Sequence, residues 1–200
     1  MSLSILTQKR KSCNMKKTDS CFDILRSMKD FSVPMKYVFD KGQIFDSSTL
    51  TDNEFEFLKS ALTLIGSSLK TTPKQCYSNS QIFLLSLHTM SLLDRSDVRI
   101  RYCEGFFIDK KLPLPISHGW ISLNNKIIDI TLTQSEYETK LPKLKIKVIA
   151  QIPDNFVYIG VEIDTDFVLK RMIDDGEAFT VLDDGRNTLK YLKQIGEFEN

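Results

Sequence analysis

Apolar positions along the chain change their spacing in a way that divides it into helical and extended parts. Phe22, Leu25 and Met28 recur at helical intervals between Asp19 and Asp30, which predicts a short helix stopped by Pro34. Residues 35–39 and 43–45, separated by Asp40, Lys41 and Gly42, predict a small hairpin or an extended wrap around the core. Thr51 and Glu54 form a capping-box pattern, and behind them Phe55, Leu58, Leu62 and Ile65 recur on one face, predicting a helix over 51–69. Pro73 then forces an extended approach to Gln75 and Cys76.

Residues 76–93 are apolar almost all round from Ile82 onward, as a helix buried in the middle of a domain would be. From Val98 the period changes to two: Val98, Ile100 and Tyr102 alternate with Arg99, Arg101 and Cys103, and Gly105 precedes Phe106, Phe107 and Ile108. A loop is expected over 110–115. Strands over 116–123 and 126–132 flank Asn124 and Asn125, a pair suited to a two-residue type I′ turn. Further strands are expected at 145–150 and 156–163. Asp164 then caps a helix that stops at Gly176, and a last helix covers 186–195. The sum is an α+β chain with N-terminal helices and a central buried helix packed on an antiparallel sheet. Its expected organisation is a basic tail over 1–17 and one domain over 18–200. That domain divides into an N-terminal helical part (18–70), a core (71–165) and C-terminal helices (164–200).

Charge and composition narrow the function classes. With 27 Lys+Arg against 26 Asp+Glu, the net charge of +1 offers no bulk field for nucleic acid or anionic lipid. The basic residues Lys9, Arg10, Lys11, Lys16 and Lys17 lack interleaved aromatic residues, so a nucleic-acid arm is disfavoured. No apolar run approaches the roughly 18 residues that span a bilayer. Charges follow the short apolar start instead of preceding it, the reverse of a secretory signal, and a cytoplasmic location is expected. Cys13, Cys21, Cys76 and Cys103 form no C-x-x-C pair and sit beside no His at ligand spacing, so neither a metal, a cofactor nor a disulfide framework is expected.

Cys76 differs from the other three in its position. A thiolate is favoured at a helix N-terminus, where free backbone N–H groups and the macrodipole stabilise anions, and by a neighbouring imidazole. Two histidines exist to supply one. His88 lies twelve residues along the same helix, roughly 18 Å away, and cannot reach. His118 remains. With Asn124 and Asn125 as the turn, Leu123 pairs with Lys126, Trp120 falls opposite Asp129 and His118 opposite Thr131. His118 and Asp129 then share a face as diagonal neighbours about 7 Å apart between Cα atoms. A carboxylate there would orient the imidazole and steady its protonated form. Asp129 also sits among Ile127, Ile128 and Ile130, where an unpartnered carboxylate is costly. Gln75 and Asn79 flank the thiol and could assist the Cys76 N–H in holding an oxyanion, or could serve as cap and turn residues.

Five short motifs carry a resemblance: Cys76-Tyr77-Ser78-Asn79-Ser80, Tyr102-Cys103-Glu104-Gly105, His118-Gly119-Trp120, Ile128-Asp129-Ile130-Thr131 and Tyr158-Ile159-Gly160-Val161. In this order they resemble the papain-like and transglutaminase-like superfamily of thiol enzymes, nearest to a group of bacterial and phage proteins. That group carries Cys-Tyr-x-Asn-Ala, Tyr-x-Glu-Gly, His-Ala-Trp, Ile-Asp-Pro-Thr and Tyr-Phe-Gly-Val. Departures at Ser80, Gly119, Ile130 and Ile159 leave Cys76, His118 and Asp129 untouched. The resemblance spans about residues 70–165 and implies a cysteine-dependent acyl-transfer fold, with Glu104, Trp120 and Tyr158 lining the cleft. It implies no particular substrate. The expected function is a hydrolase or acyltransferase acting on an amide or peptide-type carbonyl of a protein or peptide-like partner. The alternative is a non-catalytic interaction module, an inhibitor or host-takeover factor, on the same fold.

Overall fold

A computed structural model describes residues 33–69, 75–93, 97–131, 152 and 154–197. Five α-helices and one five-stranded sheet lie within them. In chain order they are α1 (Val33–Lys41), β1 (Gln43–Ile44), α2 (Asp52–Ile65), α3 (Cys76–Thr89), β2 (Ile100–Asp109), β3 (Leu112–Leu123), β4 (Lys126–Ile128), β5 (Phe156–Ile163), α4 (Thr165–Asp175) and α5 (Gly185–Gln194). The mixed helix-and-sheet class expected from the sequence holds. The tail over 1–17, the helix within 19–30 and the strand over 145–150 lie outside the described residues.

Local signals explain most elements. Thr51 Oγ1 accepts from the Glu54 N–H, and the Glu54 carboxylate accepts from the Thr51 N–H at 2.8 Å, closing the capping box of α2. A 3-10 turn over Gly66–Ser68 continues it. Asp164 caps α4 through the Phe167 N–H, and Gly176 ends it at φ 71°. Asn124 and Asn125 both adopt positive φ, as a type I′ turn requires, and Leu123 pairs with Lys126.

Three expectations need correction. Residues 35–39 are helical, not extended, and Pro34 lies in the first turn of α1. First-turn N–H groups have no intrahelical acceptor, so proline loses nothing there and its φ suits the helix. The extended wrap survives only at β1, which pairs with β5. The loop expected over 110–115 is mostly strand, since β3 begins at Leu112; among the described residues β4 pairs only with Ile121–Leu123, so no described strand calls on the missing proline N–H groups on that side. The second hairpin strand stops at Ile128 instead of reaching 132, which takes Asp129 out of the ladder.

The sheet runs β1-β5-β2-β3-β4, every neighbouring pair antiparallel. It curls until its two edges meet: Asp46, just after β1, bridges to Lys126 of β4, and the Ile127 N–H donates to the Asp46 carbonyl at 3.0 Å. Two cores follow. The helices cover one face of the sheet with a largely aliphatic core that includes Leu58, Leu84, Ile108, Ile121 and Val168. A smaller, aromatic cluster of Phe45, Cys103, Phe107, Trp120, Ile127, Ile152 and Tyr158 fills the other face, inside the curl. His118 and Trp120 belong to this inner face by strand parity, because they pair with Gly105 and Cys103.

Candidate active site

Cys76 is the first residue of α3. The Asn79 N–H to Gln75 carbonyl bond at 2.8 Å opens the helical ladder, and the Gln75 side chain caps none of the amides that precede it. The body of α3 is fixed against β3: Ser80 Oγ donates to the Gly119 carbonyl at 3.3 Å. Gly119 has a specific packing reason. A Cβ there would lie 2.8 Å from the Tyr77 ring and 3.2 Å from the Tyr102 hydroxyl, so the missing methyl lets the first turn of α3 close onto the strand. The neighbouring His118 is thereby brought beside Cys76.

His118 Nε2–H donates to Asp129 Oδ2 at 2.6 Å. The Cys76 thiol stands close enough to the imidazole to act on its charge, and with Nε2 committed to Asp129, Nδ1 is the nitrogen available to exchange a proton with it. Asp129 is 1% exposed, and the Thr131 N–H donates to its other oxygen at 2.9 Å. Tyr158 Oη donates to Oδ2 at 2.6 Å, so one carboxylate oxygen serves both ring systems. Burial by itself pushes the His118 imidazole down. The charge and hydrogen bond of Asp129, with Cys76 adding to them, outweigh burial and push it up to about 10.

Aromatic rings wall this group. The Trp120 indole stacks on His118 with a 14° interplanar angle, and Phe107 lies 5.9 Å from the imidazole centroid. The stacking depends on a bare row of the sheet. Gly105 and Gly160 pair directly, and a Cβ on Gly160 would come within 2.5 Å of the Trp120 ring. Cys76 and His118 are 7% and 8% exposed, and Ile116, directly opposite Phe107, is exposed at the rim.

Cys76, His118 and Asp129 therefore meet, while the auxiliary residues divide. Gln75 stands at the N-cap, half-buried, and Asn79 is fully buried one turn into α3. Trp120 and Tyr158 join the group from its inner side; both are fully buried, and the indole N–H has no hydrogen-bond partner among the described residues. Glu104 does not join it. Its carboxylate accepts from the Tyr102 hydroxyl at 2.6 Å and from the backbone N–H groups of Val181 and Leu182 at 2.9 and 2.7 Å, on the helix-covered face. His88, at the far end of α3, lines a separate groove of about 620 Å³ with Arg101, Glu162 and Asp164. No known protein family matches the chain, and no match to it is found among curated proteins or solved structures.

Phe107 is the wall residue that sequence reasoning passed over. Its signal was present, since it lies two residues beyond Gly105 and so shares the face of His118's partner. Both cysteines among the described residues are free thiols. Burial pushes the Cys103 thiol well up, so it is unreactive by comparison. No described group of His, Cys, Asp and Glu is arranged to hold a metal ion. No helix among the described residues is long and apolar enough to cross a membrane.

Proposed function

We propose that this protein is a cysteine-dependent hydrolase or acyltransferase acting on an amide or peptide-type carbonyl, on a papain-like or transglutaminase-like core. One observation carries the reading: a nearly buried imidazole bonded on Nε2 to a buried carboxylate at 2.6 Å, with a thiol from the first residue of a helix beside it. Such an arrangement gives the imidazole a thiol proton to take and a carboxylate to steady it.

In this reading the Cys76 sulfur attacks the carbonyl carbon as its proton passes to His118 Nδ1. The tetrahedral oxyanion accepts hydrogen bonds from the amides at the start of α3, with Gln75 or Asn79 as the further donor. The carbon–nitrogen bond breaks, His118 returns the proton to the departing amine, and a thioester remains. Water or a second amine then attacks, giving its proton to His118, and the thiol is released on collapse. Asp129 keeps Nε2–H throughout and holds the ring in one tautomer. No cofactor takes part in these steps. A protein or peptide-like substrate suits the chemistry; the balanced charge argues against nucleic acid, and a reducing, cytoplasmic compartment suits a working thiol.

Iodoacetamide alkylation followed by mass spectrometry tests the reading. Cys76 should be labelled at mildly acidic pH, with Cys103 spared, and His118→Ala should slow that labelling at least about tenfold. A pH dependence of Cys76 labelling that is identical in the wild type and His118→Ala would falsify the activated thiol and leave the fold as an interaction module.

A further inference from the structure

We propose that Tyr158 is the positioning residue of this site: its hydroxyl, delivered from β5, holds Asp129 in place and in its charged form for His118. The inference rests on the acyl-transfer reading above. It begins with the place where β4 ends. Among the described residues Ile121↔Ile128 is the last backbone pair of the hairpin, so Asp129 lies just beyond the ladder. The Thr131 N–H comes from the same turn of chain and moves with Asp129, so it does not locate the carboxylate relative to the sheet. The Tyr158 hydroxyl does. It reaches the shared oxygen from another strand, at the same 2.6 Å as the imidazole.

The phenol is itself firmly aimed. Its ring is fully buried and packs against Trp120 and Phe107, each with centroids 5.3 Å away, and against His118 at 5.9 Å. β5 is hydrogen-bonded on both sides, to β1 and to β2. Burial and the neighbouring Asp129 charge push the hydroxyl's ionisation well above its usual range, so it remains a donor at every working pH. A carboxylate buried among apolar side chains tends to take up a proton, which would turn it from the acceptor of Nε2–H into a competing donor. Donors aimed at its charged form oppose that change. Among the described residues, the titratable groups facing Asp129 include His118 from β3, Tyr158 from β5 and, beside the imidazole, Cys76 from α3.

Tyr158→Phe keeps the ring and removes only the donor. The measurement is the pH–rate profile of Cys76 alkylation, with the melting temperature recorded alongside. Loss of one charge-assisted hydrogen bond should move the acid limb of the profile up by about one pH unit and slow alkylation on that limb about tenfold. A purely structural role would lower the melting temperature and leave the limb in place, and that result overturns the proposal. Should Tyr158→Phe fail to fold, fluorotyrosine placed at position 158 supplies a stronger donor of the same shape. The acid limb should then move down, and an unmoved limb overturns the proposal equally. If His118→Ala leaves wild-type Cys76 labelling unchanged, the acyl-transfer reading fails instead, so the two failures are distinguishable.

Discussion

Two carboxylates, Glu104 and Asp129, lie fully buried on opposite faces of one sheet, and each accepts a 2.6 Å hydrogen bond from a tyrosine hydroxyl. Their remaining partners separate them. Glu104 takes the N–H groups of Val181 and Leu182, which cannot titrate, and so ties the segment between α4 and α5 onto the helix-covered face. Gln81 of α3 holds the same segment through both the carbonyl and the N–H of Phe179. Asp129 takes the N–H of an imidazole that stands beside a thiol. Burial and a phenol are common to both sites, and neither marks a site as chemical. What distinguishes Asp129 is a partner that can pass a proton onward.

The largest effect expected from breaking this contrast is on Asp129. Asp129→Asn should lower acyl turnover and Cys76 alkylation by about 10²–10⁴-fold, because the amide no longer enforces the working tautomer. Thermal stability should change far less. Glu104→Gln should do the reverse. An amide NH₂ facing the Val181 and Leu182 N–H groups leaves a buried donor unmatched and should cost about 2 kcal/mol in denaturant unfolding, while Cys76 alkylation stays within about twofold. If both substitutions damaged activity equally, the division between a holding acid and a chemical acid would collapse.

pH offers a second way to sharpen the comparison. Burial pushes the Glu104 carboxyl up to about 7, outweighing the hydrogen bonds that favour its charge. The folded state therefore binds this proton more tightly than the unfolded chain. That contribution to stability is present below the unfolded carboxylate range near ~4.5 and is lost as pH rises through about 7. Wild-type melting temperature should fall across that interval, and Glu104→Gln should flatten this part of the slope. Glu54 has the opposite sign. Burial opposes its charge, but Lys126, Thr51 and Asn124 together pull it down to about 2, so its contribution is present above ~4.5 and is lost as pH falls through about 2. The smallest effect belongs to Tyr102→Phe. Removing a neutral phenol from an acid that keeps its two backbone donors should cost about 1 kcal/mol and leave the alkylation profile unmoved, in contrast to Tyr158→Phe.

Much of this contrast was legible before any tertiary structure. The Asn124-Asn125 turn sets the parity that places Asp129 with His118, whereas Glu104, expected in the cleft, is put on the opposite face by the β2–β3 register, which no local signal fixes. Helix rise excludes His88, and Pro73 with the apolar run beyond Ile82 marks Cys76 as a helix start. These are consequences of period and turn geometry, which a chain carries locally. The helix over 33–41 is not legible in the same way, because proline's effect depends on whether it occupies the first turn or the interior of a helix.

Which groups complete each acid was decided only by the tertiary structure. Tyr158 reaches Asp129 from a strand 29 residues away, and Val181 and Leu182 reach Glu104 from 77 and 78 residues away. The Gly105–Gly160 pair gains its meaning only when Trp120 lies across it. Strand period says which way a side chain faces. What it meets there depends on how the sheet curls, where β4 ends and which helix covers which face, and those depend on packing between segments remote in sequence.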